Sequence, residues 1–213
     1  MKSLKTLWFQ SCSITDAGLE QLVGLDSLEG LLLHRTKVTD QGLRHITKFP
    51  SLKTLSIVFG ANVLSEERPA FEHLEFFRGL KSLTIGGKGL RIDDLIEIAE
   101  ISGLERLQIR NLVLDDVGIG YLSKLTSLKR LSLDETTTMT DEGIKELSKL
   151  RKLESLTISG PMTDESLAHL KNLKFLNSLK IGSPYITEKG IANLEKAVPA
   201  LQMVYRLKWR PVK

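Results

Sequence analysis

Four histidines and one cysteine are the residues of this 213-residue chain that could bind a metal ion or act as a base and a nucleophile. His45, His73 and His169 fall in separate predicted helices, so they do not converge readily on one metal ion. Cys12 belongs to no HExxH, CxxC or GxSxG pattern, and His34 is expected to project from a sheet while Cys12 points inward. We therefore predict a non-enzymatic chain with no catalytic residue, no metal site and no cofactor.

Two acidic pairs, Asp93-Asp94 and Asp115-Asp116, raise calcium binding as an alternative. Each pair stands where a helix is predicted to begin, and the helix dipole stabilises negative charge at that end. We interpret both pairs as solvated helix caps.

A sequence repeat runs through nearly the whole chain and predicts the strands and helices on which these residues lie. Each repeat contains a leucine, two other residues, a second leucine or valine, one residue and usually a third aliphatic residue. Spacings of 23 to 28 residues are typical of a solenoid, and one continuous repeating core predicts a single domain over residues 1–213. The repeats start at Leu4, Leu28, Leu52, Leu80, Leu104, Leu128, Leu153, Leu176 and Leu201.

Each repeat has two halves with different hydrophobic periods. In the first repeat Leu7 and Phe9 alternate with other residues, which predicts a short strand with one face in the core. Leu19, Leu22 and Leu25 recur every third residue, which predicts a helix or a tighter helical turn.

A threonine followed by an acidic residue marks the predicted start of most helices. Thr15 suits an N-cap, and Asp16 places negative charge at the positive end of the helix dipole. A glycine or a serine follows two positions later, and we interpret this small residue as permitting close approach of helix and strand. The pair recurs as Thr39-Asp40, Thr140-Asp141, Thr163-Asp164 and Thr187-Glu188.

The segment LKTLWFQSCSITDAGLEQLVGL resembles the cysteine-containing type of leucine-rich repeat, LxxLxLxxCxITDxGLxxLxxL. The resemblance covers almost the whole chain and implies an α/β solenoid: a curved right-handed horseshoe with about nine parallel strands on its concave face and helices on its convex face. Such repeats are familiar from substrate-recognition subunits of ubiquitin ligases and from many bacterial proteins, where they bind proteins. The third repeat departs from the pattern, because its 28 residues include GANVLSEERPAFEHLEFF.

Alternate strand residues are predicted to face outward from the concave sheet, and they suggest a partner-binding site. Tryptophan and arginine are enriched at binding hot spots, and exposed apolar patches mark interaction surfaces. The alternatives are that Trp8 covers an open solenoid end and that the arginines form a solvated face partly neutralised by Asp134. The candidate residues are an apolar N-terminal group, Trp8, Leu32, His34, Val58 and Phe59, and a central group, Arg106, Gln108, Arg110, Arg130 and Asp134.

Composition narrows the class of partner. The net charge of +4 comes from 30 basic and 26 acidic residues scattered through every repeat, and a single tryptophan accompanies the outward basic residues, so nucleic acid is the weaker alternative. No apolar run approaches the roughly 18 residues of a membrane span, which predicts a soluble chain that does not bind membranes. The lone cysteine and the absence of a recognisable signal peptide favour the cytoplasm without assigning a location.

These observations predict a noncatalytic protein-protein interaction scaffold that binds a protein partner on its concave face. One alternative is a substrate-recognition fragment or accessory module of a larger protein, such as a ubiquitin-ligase subunit or a bacterial effector. A third is a module that assembles into a homo-oligomer through its uncapped N-terminal repeat.

Overall fold

The computed structural model describes residues 3–59, 77, 79–87, 90–134 and 138–207. The chain divides into two compact units, Met1–Leu104 and Glu105–Lys213, which are described separately. The single domain expected over residues 1–213 therefore stays a prediction.

The described part of the first unit contains four parallel strands, each paired with the next in chain order. Short helices follow three of them. Its elements are β1 (Thr6–Gln10), α1 (Asp16–Glu20), β2 (Gly30–His34), a 3-10 turn (Asp40–Gly42), α2 (Leu43–Ile46), β3 (Thr54–Val58), β4 (Ser82–Gly86) and α3 (Asp94–Ala99).

The described part of the second unit contains five parallel strands in chain order, again each paired with the next. Its helices pack against their neighbours in the same order. Its elements are β5 (Arg106–Arg110), α4 (Asp116–Leu122), β6 (Arg130–Asp134), α5 (Asp141–Leu147), β7 (Ser155–Ser159), α6 (Asp164–Leu170), β8 (Ser178–Gly182), α7 (Glu188–Ala197) and β9 (Met203–Arg206).

The strand positions confirm the repeat pattern, because each strand begins two residues after the first leucine of a motif. In the second unit Leu131, Leu156 and Leu179 lie in register on adjacent strands and are at most 2% exposed. Residues between them in sequence face the other way, as a period of two requires. The leucine positions thus form a continuous core row, and the alternate positions lie on the opposite face of the sheet.

The predicted N-caps are present at the helix starts of the second unit. The side chains of Thr140, Thr163 and Thr187 accept hydrogen bonds from backbone N–H groups of the first helical turn, and the side chain of Asp115 accepts one from Gly118. Thr15 stands at the N-cap of α1 without a side-chain cap bond.

The aspartate that follows the N-cap residue of α1, α4, α5 and α6 also joins neighbouring repeats, a role that the sequence did not indicate. The carboxylate of Asp164 accepts hydrogen bonds from the Thr187 backbone N–H at 2.8 Å and from its hydroxyl at 2.7 Å. Equivalent pairs of bonds join Asp116 to Thr140, Asp141 to Thr163 and, in the first unit, Asp16 to Thr39. We call this set of bonds the Thr–Asp ladder.

The ladder corrects the interpretation of the small residue in each helix. A Cβ atom on Gly190 would lie 2.5 Å from Cγ and 2.9 Å from Oδ2 of Asp164, and one on Gly143 would lie 2.5 Å from Oδ1 of Asp116. Ser166 fills the equivalent position and donates its hydroxyl to Asp141. At Gly143, Ser166 and Gly190 the small residue therefore makes room for the carboxylate of the preceding repeat, whereas a Cβ atom on Gly18 would meet the Ile14 side chain.

Asp94 differs from the predicted solvated cap. Its side chain is 3% exposed, and its carboxylate accepts a hydrogen bond from the Arg91 backbone N–H at 2.8 Å. Asp94 is therefore a buried residue with a backbone donor and not a solvated cap.

A row of alternating charges crosses the strand starts of the first unit. Glu29 bridges Lys5 and Lys53, with Oε–Nζ distances of 2.5 and 2.9 Å. Hydrogen bonds and Coulomb attraction from the two lysines lower the pKa of Glu29 to about 2. This network ties three successive repeats together at the surface.

Candidate functional site

The Trp8 patch, which consists of Trp8, Leu32, His34 and Val58, lies on one face of the first unit. Trp8 stands opposite Leu32 on the adjacent strand, and its side chain is 61% exposed. His34 stands opposite Val58 and shares a 2.6 Å hydrogen bond between its Nε2 and the Ser56 hydroxyl. The structure thus brings these four predicted residues together on three adjacent strands.

Phe59 is excluded from this patch. It follows the last residue of β3, and its side chain is 5% exposed. The Phe59 backbone N–H donates to the carbonyl of Gly86. Gly87, which follows Gly86, has a φ of 134°, and a Cβ atom at Gly87 would collide with Phe59. The prediction that Phe59 faces a partner is therefore wrong, because Phe59 has the same inward parity as the core residues Leu55 and Ile57.

The arginine patch, which consists of Arg106, Gln108, Arg110 and Arg130, lies on β5 and β6 in the second unit. Arg106 and Arg130 stand directly opposite each other on adjacent strands, and both are exposed. Strand neighbours are separated by about 4.8 Å. Within the described residues, neither guanidinium has a hydrogen bond or an ion pair.

The other members of the arginine patch are half-buried and partnered. Arg110 Nη2 donates to Gln108 Oε1 at 3.3 Å. Asp134, the predicted neighbour of the patch, stands opposite Arg110 in register. The patch therefore has two parts. Gln108 and Arg110 bond to each other on β5, and Arg106 and Arg130 stand exposed at the starts of β5 and β6.

The sequence interpretation missed an apolar edge at the other side of the second unit, formed by Met203, Tyr205 and Leu207. Their side chains are 46%, 50% and 39% exposed. Nζ of Lys180 lies 5.7 Å from the centroid of the Tyr205 ring, which is within cation–π range. The signal was available, because these are the second, fourth and sixth residues after Leu201 and so belong to the outward positions of the repeat.

The residues considered for chemistry lie apart from these surfaces. His45 is buried in α2, and Cys12 is half-buried in the loop after β1. Among the residues that the structure describes, no three histidine, cysteine or acidic side chains form a group that could hold a metal ion. No described helix is both long and apolar enough to cross a membrane.

The fold was compared with known proteins. No protein-family model matches the sequence, and no curated protein matches it significantly. Solved structures do match. Internalin C2 of Listeria monocytogenes is 21% identical with a TM-score of 0.66, covering 95% of this chain and 80% of that one.

Two further structures give the same result. The internalin inlF of Listeria monocytogenes is 21% identical with a TM-score of 0.59, covering 100% of this chain and 69% of that one. A leucine-rich repeat protein of Leptospira interrogans is 19% identical with a TM-score of 0.54, covering 95% of this chain and 55% of that one. Identities at this level establish the fold and not a shared partner. With its parallel strands, intervening helices and these neighbours, the chain has the α/β solenoid fold of a leucine-rich repeat protein.

Proposed function

We propose that this chain is a noncatalytic protein-binding scaffold whose contact surface is the exposed sheet face, centred on Arg106 and Arg130. The observation that carries this proposal is the in-register placement of two exposed arginines without an ion pair among the described residues. Like charges directly opposite each other on neighbouring strands destabilise a sheet. A carboxylate on a partner would remove that repulsion.

The scaffold itself does not require these arginines. Ser155 and Ser178 continue the same row on β7 and β8. Arginine presents a planar fork of donors that matches a carboxylate with two parallel hydrogen bonds. The row therefore changes from a neutral hydroxyl surface to a cationic one at the two strands where the arginines stand.

The sheet face also offers a partner a preformed surface. Its outward side chains stand on strands that are hydrogen-bonded to their neighbours, and small residues such as Ser132 and Thr157 lie between the longer ones. Ordering of side chains and loops is a major cost of association, and a rigid face keeps that cost low.

Affinity capture from the native lysate tests the proposal. The wild-type chain, the double charge reversal Arg106→Glu/Arg130→Glu and the control Lys171→Glu/Lys174→Glu are immobilised in parallel, and bound proteins are quantified by mass spectrometry. The control changes the net charge by the same amount at exposed lysines around the end of α6. We expect a protein that the wild type and the control retain and that the Arg106→Glu/Arg130→Glu variant loses by roughly tenfold or more. Equal retention by all three chains would refute the placement of the surface at the arginines.

Self-association is a second candidate, and the exposure of the first repeat favours it. Trp8 is 61% exposed, and Leu7 and Phe9 on the same strand are half-buried, whereas their register partners Leu31 and Leu33 are fully buried. A second copy that covered β1 would bury this apolar surface. Light scattering across a concentration series distinguishes the two candidates. Self-association requires a mass above that of a monomer and a decrease in that mass with Trp8→Lys; a monomer at high concentration rules it out.

A further inference from the structure

The second unit contains an open groove on its exposed sheet face, with a volume of about 530 Å³. Short hydroxyl side chains form its floor, and the apolar edge with Lys180 forms its wall. The lining residues are Ser155, Thr157, Ser178, Lys180, Met203, Tyr205 and Leu207.

The wall of the groove is held in place by contacts that do not involve the groove itself. The backbone N–H of Leu207 donates to the carbonyl of Ile181 at 2.8 Å. The Arg206 guanidinium forms an ion pair with Glu188 and donates to the Ile186 carbonyl at 3.0 Å. β9 is therefore fixed on β8 with its apolar side chains exposed, so that an apolar group could dock without ordering the edge first.

The floor of the groove continues directly into the arginine patch. Arg130, Ser155, Ser178 and Met203 occupy one row on four successive strands. Three strand spacings separate Arg130 from Met203, a distance of about 14 Å. The small residues between them leave a path across the strands from a cationic end to an apolar end.

The charges along this path have one sign. Arg106, Arg130 and Lys180 are exposed cations, and Asp134 is the one acidic residue at the alternate positions of β5 to β9, where it stands opposite Arg110. A ligand on this path meets Arg106 and Arg130 at one end and, at the other, Met203, Tyr205 and Leu207 with Lys180 beside the Tyr205 ring.

We propose that this path binds an extended peptide segment that carries a carboxylate for Arg106 and Arg130 and, about four residues away, an aliphatic or aromatic side chain for the apolar edge. Four residues of extended chain span about 13 Å, which matches the separation of the two ends. The segment crosses the strands, with its backbone near the hydroxyl groups of the floor. This inference rests on the proposed function and specifies the chemistry of the partner.

A peptide partner fits these residues better than a nucleic acid. Single-stranded nucleic acids bind to several aromatic platforms interleaved with basic residues. Among the described residues that line the groove, Tyr205 is the one aromatic residue, and the methionine and leucine beside it suit an apolar side chain.

Selection from a phage-displayed library of random 12-residue peptides tests the inference on the full chain. We expect enrichment of Asp or Glu about four positions from Leu, Ile, Met, Phe or Trp. Enriched peptides that lack the acidic residue or lack the apolar one, and selections without enrichment, both overturn the proposal. A single-stranded oligonucleotide that displaces the peptide while matching its affinity also overturns it.

Fluorescence anisotropy with one enriched peptide then examines each end of the path. Arg106→Glu/Arg130→Glu and Met203→Lys are each expected to weaken binding by roughly tenfold or more, and Lys171→Glu/Lys174→Glu to leave it unchanged. Replacing the acidic peptide residue with lysine should weaken binding to the wild type and restore binding to Arg106→Glu/Arg130→Glu. Absence of this charge swap contradicts the assignment of the carboxylate to the arginines.

The lysate experiment separates failure of this inference from failure of the proposed function. A native partner that depends on the arginines but is retained by Met203→Lys and Tyr205→Ala leaves the scaffold function intact and overturns the two-ended peptide. Circular dichroism melts show whether each variant is folded, and the exposed positions of Met203 and Tyr205 make folding of these variants the expectation.

Discussion

Replacing Gly190 with alanine tests the Thr–Asp ladder directly. The added Cβ would lie 2.5 Å from Cγ and 2.9 Å from Oδ2 of Asp164, closer than nonbonded atoms approach, so the carboxylate must move away from Thr187. The variant then loses two hydrogen bonds from Thr187, whose donor–acceptor distances are 2.8 and 2.7 Å.

The expected change in the free energy of unfolding follows from two opposing terms. Hydrogen bonds to a charged group contribute about 1.5 to 3 kcal/mol each, and water at this half-buried site favours the lower value, so the loss is about 3 kcal/mol. Alanine in place of glycine in a helix recovers up to about 1 kcal/mol. We therefore expect Gly190→Ala to destabilise the chain by roughly 2 kcal/mol.

Gly120→Ala is the matched control, because it makes the same substitution in α4 at a position where an added Cβ meets no atom within 4 Å. This variant should be more stable than the wild type by about 0.5 to 1 kcal/mol. Urea denaturation followed by circular dichroism measures both values. If Gly190→Ala stabilises the chain as Gly120→Ala does, the glycine does not make room for the carboxylate.

The pH dependence provides a second readout of the same substitution. Hydrogen bonds from the Thr187 side chain and backbone lower the pKa of Asp164 below its usual value of 3.8. A lowered folded-state pKa stabilises the chain above pH 3.8, and this contribution disappears as the pH falls through the lowered pKa. The stability difference between wild type and Gly190→Ala should therefore shrink in acid, and an NMR titration should show a higher Asp164 pKa in the variant.

Three other perturbations have defined outcomes. The two lysines that lower the Glu29 pKa to about 2 stabilise the folded chain above about pH 4.5, and this stabilisation is lost as the pH falls towards 2. Lys5→Ala should therefore raise the Glu29 pKa in an NMR titration, and an unchanged pKa would contradict the ion pair. Asp141→Ala removes the hydrogen bonds from Thr163 and leaves the buried Ser166 hydroxyl without its acceptor. Urea denaturation should show that the free energy of unfolding falls by about 2 to 4 kcal/mol, whereas the control Glu165→Ala, at an exposed position, should lower it by less than about 0.5 kcal/mol. Leu156→Ala should cost about 2 to 5 kcal/mol and the outward Thr157→Ala about 0.5 kcal/mol or less, and similar losses would contradict the alternation of core and surface along β7.

Strand positions and outward residues could be predicted from the sequence because both depend on local periodicity. A leucine motif places Leu131 in the core, and the alternation of a strand then places Arg130 and Ser132 on the other face. Phe59 also obeys this rule. It has the same parity as the core residues Leu55 and Ile57, so the alternation along β3 already indicates that it is buried.

The Thr–Asp ladder was not predicted because its two members are adjacent in sequence but bond to different neighbours. Asp141 follows Thr140, and a local interpretation assigns both residues to one helix end. In the structure Thr140 belongs to the bond with Asp116, and Asp141 belongs to the bond with Thr163. The bonded pairs Asp116–Thr140, Asp141–Thr163 and Asp164–Thr187 are 24, 22 and 23 residues apart, which matches the repeat, but these residues make contact only because neighbouring repeats stack side by side.

The apolar edge was missed for a different reason. Leu201 and Val204 keep the first two positions of the leucine motif, but Arg206 stands where the third aliphatic residue is expected. β9 nevertheless pairs with β8 through four residues, so the same alternation applies to Met203 and Tyr205. Hydrogen bonding to β8 therefore keeps residues 203–206 in a regular strand that the motif alone did not indicate.

The Thr–Asp ladder also makes repeats of the second unit interchangeable. Asp116, Asp141 and Asp164 each present the same acceptor, and Thr140, Thr163 and Thr187 each present the same pair of donors. Excision of residues 140–162 would bring Thr163 to the place of Thr140, where Asp116 offers an equivalent carboxylate. Gain or loss of a whole period by recombination thus preserves the junction between neighbours, whereas a partial insertion breaks it. The length of such a chain can change in steps of one repeat without any new interface chemistry.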